Sequence, residues 1–119
     1  MPAKILVVDD ESIIRDLLFE FLTGQGYKVL LASSGEEALK FLSDREIKLA
    51  LVDLKLPGLD GLQLVEKIKE VKGSLPCILM TAYPDKESLA RARKLGVSAY
   101  ITKPFQLDQL LSLIQKALK

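Results

Sequence analysis

The sequence predicts an α/β fold in which a doubly wound, all-parallel sheet of five strands carries five helices on its two faces. Five short apolar runs alternate with segments of helical spacing, as in folds built from strand-helix-strand units. Each run is apolar throughout rather than at every second position, which is typical of strands buried on both faces. This alternation fills all 119 residues, so we expect one domain over residues 1–119.

The predicted strands are these five apolar runs. In chain order they are Ile5–Val8, Val29–Ala32, Leu49–Val52, Ile78–Met80 and Ala99–Ile101. None is long enough to cross a bilayer, because a membrane-spanning helix needs about 20 apolar residues. Right-handed crossover connections then restrict the sheet to a few strand orders.

The first two helices are predicted from apolar residues that recur on one face. In the first they are Ile14, Leu17, Leu18, Phe21 and Leu22, and in the second Ala38, Leu39, Phe41 and Leu42. Gly24 and Gly26 are expected to end the first helix, because glycine readily adopts the conformation of a helix C-terminus. Ser34 followed by Glu37 predicts a capping box at the start of the second.

The last three helices follow from the same spacing. Their apolar residues are Leu64, Val65 and Ile68 in the third, Leu89, Ala90 and Ala92 in the fourth, and Leu107, Leu110, Leu111, Ile114 and Leu118 in the fifth. Gly73 and Gly96 mark the expected ends of the third and fourth helices.

Composition excludes several classes of function. The 17 Lys and Arg residues nearly balance the 16 Asp and Glu residues, and without a basic block we expect no direct binding of nucleic acid. The chain has no histidine, which excludes a histidine phosphocarrier and any imidazole base or ligand. Cys77 lies in an apolar run and is expected to be a buried, inert thiol. No signal-peptide pattern precedes the first strand, so we expect a cytoplasmic protein without membrane contact.

Polar side chains follow four of the five predicted strands. Asp9 and Asp10 follow the first strand, Asp53 the third and Thr81 the fourth, and Lys103 comes shortly after the fifth. Because the carboxyl ends of parallel strands meet at one edge of a sheet, where ligands bind, we expect these side chains to lie close together. The second strand brings no charge, which fits a position at the edge of the sheet.

Such a cluster is suited to phosphate chemistry. Three nearby carboxylates repel one another by about 1–4 kcal/mol per pair, and a hard cation such as Mg²⁺ relieves that repulsion. An aspartate can act as a nucleophile toward phosphorus. Lys103 and the Thr81 hydroxyl are suited to meet the negative charge of the resulting acyl phosphate.

Four motifs of this sequence resemble those of the bacterial two-component response-regulator receiver family. They are Ile5-Leu6-Val7-Val8-Asp9-Asp10-Glu11, Asp53-Leu54-Lys55-Leu56-Pro57-Gly58-Leu59-Asp60-Gly61, Met80-Thr81-Ala82 and Lys103-Pro104-Phe105. They occur in the family's order and spacing and cover essentially the whole chain. Within the family, the chain is most similar to single-domain regulators such as the sporulation phosphorelay intermediate. This similarity includes Lys55 after the acceptor and Thr81-Ala82-Tyr83 at the fourth strand.

The resemblance implies a flavodoxin-like sheet of order 2-1-3-4-5 and a role in two-component or phosphorelay signal transduction. The chain would accept a phosphoryl group on Asp53 from a sensor histidine kinase or a histidine phosphotransferase, catalysing its own phosphorylation and slow dephosphorylation. It would then switch conformation toward a downstream protein target or relay the group. The alternative is a receiver domain excised from a larger response regulator or hybrid kinase. Ile14 and Phe105, near this edge of the sheet, are candidate contacts for the donor, and the alternative is that both belong to the core.

The resemblance also implies individual roles. Asp10 and Asp53 would bind Mg²⁺ directly together with the backbone carbonyl of Lys55, with Mn²⁺ as an alternative ion, and Asp9 would act mainly through a water molecule. Lys103 would pair with Asp53 at rest and with the phosphoryl oxygens afterwards.

Three further residues have implied roles in switching or local structure. Thr81 would donate a hydrogen bond to the phosphoryl group, and Tyr100 would turn inward when Thr81 moves. Pro104 would follow a cis peptide bond. Gln106 replaces the aspartate that often caps the last helix, so its start is expected to be less firmly capped.

Two other classes of protein share parts of this pattern. A haloacid dehalogenase-type phosphatase also uses Asp, Thr and Lys on a parallel sheet, but it needs a second acid two residues after its nucleophile, where this chain has Lys55. A flavodoxin-like flavin binder needs a hydroxyl- and glycine-rich loop after the first strand. Here that loop is Asp9-Asp10-Glu11-Ser12, which would repel a phosphate in the absence of a metal.

Overall fold

Strands and helices alternate from one end of the chain to the other in a computed structural model that describes residues 3–119. The strands are β1 (Lys4–Val8), β2 (Lys28–Ala32), β3 (Ile47–Asp53), β4 (Cys77–Thr81) and β5 (Ala99–Thr102). The helices are α1 (Ser12–Gly24), α2 (Gly35–Lys40), α3 (Gly61–Val71), α4 (Lys86–Leu95) and α5 (Leu107–Ala117). The five apolar runs are therefore strands, as predicted.

All neighbouring strands pair in parallel, and their order is β2-β1-β3-β4-β5. This confirms the predicted fold class and strand order, including the edge position of β2. The register aligns Val8 with Val52 and Asp53 with Met80. The C-terminal ends of the central strands consequently lie side by side.

The core consists of two apolar layers, one on each face of the sheet. Successive residues of a strand point to opposite faces, so Leu6 and Val8 belong to one layer and Ile5 and Val7 to the other. Helices α2, α3 and α4 cover the first face, whereas α1 and α5 cover the second. Cys77 is buried and unpaired, as predicted, and burial raises the pKa of its thiol to about 11.

Helix starts differ from the sequence prediction in two places. Ser34 caps α2 by accepting a hydrogen bond from the Glu37 amide, but the Glu37 carboxylate accepts from the Ser33 amide instead of completing the predicted box. A complete capping box lies at the start of α3, where Asp60 and Gln63 each accept from the other's backbone amide. The chain therefore has its reciprocal capping box at α3 rather than at α2.

The remaining helix boundaries agree with the sequence prediction except at the end of α2. Gly96 ends α4 in the left-handed conformation at φ +77°, as expected for that position. Helix α2 ends at Lys40, so Phe41 and Leu42 lie beyond it although they pack against the core. Gln106 starts α5 without a side-chain cap, as predicted. Among residues 3–119, no helix combines the length and hydropathy needed to span a bilayer.

Candidate functional site

The C-terminal edge of the sheet carries the buried polar side chains of the protein. Asp9 follows β1, Asp53 ends β3 and Thr81 ends β4. Their exposed fractions are 0%, 5% and 0%, and they are the only buried polar or charged residues of the described chain. Burying a carboxylate is unfavourable unless it is paired. Two such groups at one strand edge therefore point to a site rather than to ordinary surface.

Three carboxylates converge at this edge. Asp9, Asp10 and Asp53 each offer one oxygen, and these oxygens lie within 4.8 Å of one another. Asp10 is exposed, so solvent reaches the cluster from its side. Carboxylate oxygens with room for retained water are the ligand set that Mg²⁺ prefers, and the residues present fit that ion.

Lys103 is the counter-ion of the cluster. Its Nζ lies 2.7 Å from Asp9 Oδ2, 3.4 Å from Glu11 Oε1 and 3.5 Å from Asp53 Oδ2. The ion pair with Asp53 that the resemblance implied is present, and Lys103 also donates a shorter hydrogen bond to Asp9. The Lys103–Pro104 peptide bond is cis.

Burial and charge shift the proton affinities of both partners. Burial, reinforced by the negative charge of Asp9, raises the pKa of Asp53 from 3.8 to about 6, although Lys103 opposes the shift. Burial by itself lowers the pKa of Lys103, because it disfavours the charged ammonium group. The hydrogen bond to Asp9 and the charges of the nearby carboxylates outweigh that effect, so the pKa of Lys103 is raised. The site is therefore held by mutual charge compensation.

Two neighbours of Asp9 were not predicted from the sequence. The Glu11 amide donates to the Asp9 carboxylate at 2.9 Å, and Arg15 donates through Nη1 to the Asp9 carbonyl oxygen at 2.7 Å. Arg15 lies one turn into α1, and its position just after the acidic pair was the available signal. Together these bonds hold the loop that carries the carboxylates.

Thr81 and Tyr100, the predicted switch residues, lie in neighbouring strands. The Thr81 hydroxyl oxygen accepts a hydrogen bond from the Tyr83 amide at 3.1 Å. The Tyr100 ring packs against the face covered by α4. Its hydroxyl is buried with no hydrogen-bond partner in residues 3–119, and burial together with Asp85 raises the pKa of Tyr100. Within residues 3–119, no hydrogen bond joins the side chains of Thr81 and Tyr100.

A cavity of about 190 Å³ opens above the carboxylates. It is lined by Asp10, Glu11, Asp53, Lys55, Ala82, Tyr83 and Lys103. Lys55 Nζ lies 5.3 Å from the centroid of the Tyr83 ring, a cation–π contact that joins two sides of the opening. The Lys55 amide is 3.4 Å from Asp53 Oδ1, so the loop after β3 bends around that carboxylate.

A more apolar cavity of about 320 Å³ adjoins this opening. It is lined by Glu11, Ile14, Leu17, Ala82, Lys103, Pro104 and Phe105. On the same helix, Ile13 is 78% exposed and Leu17 is 42% exposed. Ile14 and Phe105 line this cavity and are also partly buried against the core, so the structure is consistent with both roles considered for them.

Comparison with known proteins shows which family the chain is related to. Residues 5–115 match the response regulator receiver domain. The chain belongs to the response regulator receiver family. This receiver domain is 34% identical over 118 residues to sporulation initiation phosphotransferase F of Bacillus subtilis (strain 168), covering 99% of this chain and 95% of that protein. It acts in two-component signal transduction.

Other similar proteins include larger regulators that contain a receiver domain and receiver domains whose structures have been solved. The receiver is 38% identical over 112 residues to the DNA-binding transcriptional regulator NtrC of Klebsiella pneumoniae, covering 94% of this chain but only 24% of that protein. A CheY-like receiver domain protein from Methanospirillum hungatei superposes with a TM-score of 0.95 at 33% identity, covering 99% of this chain and 94% of the other. The fold is therefore shared with both kinds of relative.

Proposed function

We propose that this receiver accepts a phosphoryl group on Asp53 from a phosphohistidine of a sensor histidine kinase or histidine phosphotransferase. The observation that carries the proposal is the position of Asp53. Its carboxylate is nearly buried, lies with Asp9 and Asp10, has Lys103 at 3.5 Å and lines an open cavity. A nucleophilic carboxylate beside a cation site and a lysine is suited to phosphoryl transfer.

In the transfer step, one carboxylate oxygen of Asp53 forms a bond to phosphorus. The phosphorus–nitrogen bond of the donor breaks, and its electron pair remains with the imidazole, which takes up a proton. Lys103 moves its charge toward the phosphoryl oxygens, since an ammonium group stabilises the charge that develops there. Hydrolysis of the phosphoaspartate in the same site returns the receiver slowly to its resting state.

Asp10 and Asp53 would hold Mg²⁺ directly with the Lys55 carbonyl, and Asp9 would act through water. When bound, this ion supplies positive charge that offsets the repulsion among the carboxylates and the phosphoryl oxygens. The three converging carboxylates support this assignment. Mn²⁺ prefers the same hard oxygen ligands and would serve as a substitute.

The donor would approach over the apolar surface formed by α1 and Phe105. Ile13 is highly exposed there, and Lys103 is among the residues that line the adjoining cavity. An apolar helix face of a donor would bury this surface while its phosphohistidine reaches Asp53. We place this exchange in the cytoplasm, where kinases supply phosphohistidine.

After phosphorylation, Thr81 would give up its bond from Tyr83 and donate to the phosphoryl group, and Tyr100 would follow. A downstream protein would bind the changed conformation, or the phosphoryl group would be transferred onward to a phosphotransferase. The similarity to sporulation initiation phosphotransferase F supports a relay, and the similarity to NtrC supports a receiver within a larger regulator.

The test is phosphorylation by acetyl phosphate with Mg²⁺, followed by intact-mass spectrometry. Wild type should gain one phosphoryl group and Asp53→Asn none. Asp108→Asn, which changes an exposed aspartate on α5, is the matched control and should label like wild type. Equal labelling of wild type and Asp53→Asn would overturn the assignment of the acceptor.

A further inference from the structure

Helix α3 begins directly against the end of the strand that carries Asp53. The Gly61 amide donates to the Leu54 carbonyl oxygen at 2.9 Å. A Cβ atom built on Gly61 would lie 2.3 Å from the Asp53 carbonyl oxygen and 2.7 Å from Leu54 Cα. Both neighbours are backbone atoms, which cannot rotate aside as the end of a side chain can. This position therefore has no room for a side chain.

Glycine is required at position 61 because of the close backbone contact, not because of an unusual backbone conformation. Positive φ values occur at Gly26, Gly58 and Gly96, but not at Gly61. Any residue could thus adopt the backbone conformation of Gly61. Alanine is also a better helix former than glycine by about 1 kcal/mol, so a harmful effect of Gly61→Ala would have to come from the close approach.

The loop between Asp53 and α3 is held at its other side by α2. The Leu59 amide donates to the Glu36 carboxylate at 3.3 Å. A Cβ atom on Gly35 would come within 3.0 Å of the Leu59 carbonyl oxygen. Residues 54–60 therefore run between two helix starts, and the capping box of Asp60 and Gln63 fixes the second of them.

We infer that Gly61 is a positioning residue of the phosphorylation site. The missing side chain lets α3 lie against the backbone of Asp53 and Leu54, and this contact sets the direction of the Asp53 carboxylate and of the Lys55 carbonyl. A methyl group at this position pushes the loop away from the strand end and spreads the oxygen ligands. The inference rests on the proposed function, since it concerns the same cation and acceptor.

The test compares Gly61→Ala with Gly24→Ala. Gly24 ends α1, has no atom within 4 Å of an added Cβ and has no positive φ, so it reports the general effect of replacing a helix glycine. Four quantities are measured: the urea midpoint, which shows that each variant is folded, the Mg²⁺ dissociation constant by calorimetry, the amide chemical shifts of the metal-free proteins and the yield of phosphoprotein at limiting Mg²⁺.

Gly61→Ala should weaken Mg²⁺ binding about tenfold or more, which is the usual effect of disturbing the residues that orient metal ligands. The amide resonances of Leu54 and Lys55 should move in the metal-free protein, and the yield of phosphoprotein at limiting Mg²⁺ should fall. Gly24→Ala should match wild type in Mg²⁺ affinity, in the Leu54 and Lys55 resonances and in phosphoprotein yield, whatever its effect on the urea midpoint. A folded Gly61→Ala protein with wild-type Mg²⁺ affinity and unmoved Leu54 and Lys55 resonances overturns the inference.

Glu36→Gln keeps the test decisive if Gly61→Ala fails to fold. This change at an exposed position weakens the bond to the Leu59 amide, and Glu20→Gln on α1 is its control. Glu36→Gln should shift the Lys55 amide resonance and weaken Mg²⁺ binding about two- to threefold, because the amide oxygen of glutamine accepts a weaker hydrogen bond than a carboxylate. No change in either quantity overturns the inference. Failure of wild type itself to bind Mg²⁺ or to accept phosphate would instead refute the proposed function.

Discussion

The ammonium group of Lys55 lies over the ring of Tyr83, 5.3 Å from its centroid. The two residues come from different loops, one after β3 and one after β4, and both line the cavity above Asp53. Their contact narrows the route by which water would reach a phosphoryl group on Asp53. Neither side chain offers a carboxylate or an amide that could orient an attacking water.

We therefore expect Lys55→Asn to speed the loss of phosphate from the phosphorylated receiver. Loss of an exposed cation–π contact of about 0.5–1 kcal/mol corresponds to an increase of about two- to fivefold in rate, and the new amide can position water. The assay follows decay of purified phosphoprotein with Mg²⁺ and no partner. Lys67→Asn, on the exposed side of α3, is the control. A decay rate for Lys55→Asn at or below that of wild type contradicts this role.

Removing one carboxylate should weaken Mg²⁺ binding according to its role. Asp10→Asn should raise the dissociation constant about tenfold or more, or about 1.4 kcal/mol, because it removes a proposed direct ligand. Asp9→Asn should have a smaller effect on affinity. Calorimetric titration tests both, with Asp16→Asn on the exposed part of α1 as the control. An unchanged affinity in Asp10→Asn would rule out the proposed ligand set.

The raised pKa of Asp53 predicts a pH-dependent stability of the metal-free protein. Because its pKa rises from 3.8 to about 6 on folding, the protonated group favours the folded state. That favourable contribution is complete below pH 3.8 and is lost as the pH rises through about 6. At pH 7 the charged carboxylate should therefore destabilise the fold.

Asp53→Asn should accordingly stabilise the metal-free receiver by about 1–3 kcal/mol at pH 7, taking 1.36 kcal/mol per pKa unit as the upper limit. The gain should shrink as the pH falls toward 4, and Mg²⁺ should reduce it at pH 7. Urea unfolding in the presence of a chelator measures the free energy of unfolding. Equal midpoints for wild type and Asp53→Asn at pH 7 would show that the buried charge is already fully compensated.

Thr81→Ala should accept phosphate but lose most of the conformational change. Carrying a population from 1:99 to 99:1 needs about 5.5 kcal/mol of differential interaction, and a charge-assisted hydrogen bond supplies about 1.5–3 kcal/mol of it. Lys103 and the bound cation must supply the remainder. Amide shifts in α4 on addition of beryllofluoride, an analogue of the phosphoryl group, measure the change. Thr102→Ala, at the exposed end of β5, is the control, and a full response in Thr81→Ala excludes the coupling.

The apolar surface of α1 should matter only for a protein donor. Ile13→Ser should lower kcat/KM for transfer from a phosphorylated phosphotransferase about tenfold or more, because burial of an isoleucine contributes about 1.5–3 kcal/mol. Labelling by acetyl phosphate should stay unchanged. Val71→Ser alters a similarly exposed side chain, 64% against 78% for Ile13, on α3 and should affect neither reaction. If Ile13→Ser slowed both reactions equally, the surface would not be a docking site.

Local patterns in the sequence were enough to predict the fold. Continuous apolar runs reveal strands buried on both faces, and the spacing of residues such as Leu110 and Ile114 reveals the covering helices. Strand ends carry the acidic residues, and parallel strands must bring those ends to one edge. The fold class could therefore be predicted from the sequence pattern alone, and the family resemblance added the strand order. The same pattern identified the candidate site residues, which are Asp9, Asp10, Asp53, Thr81 and Lys103.

Contacts among these residues were decided only by tertiary structure. Lys103 donates a hydrogen bond to Asp9 across 94 positions of sequence, and its ammonium group lies 3.5 Å from Asp53 Oδ2. Lys55 meets Tyr83, and Gly61 meets the Asp53 backbone, because α3 and two loops converge at that edge. Periodicity specifies which face a residue occupies. Distances and burial that set ion pairing, proton affinity and available space arise only when separate elements pack together.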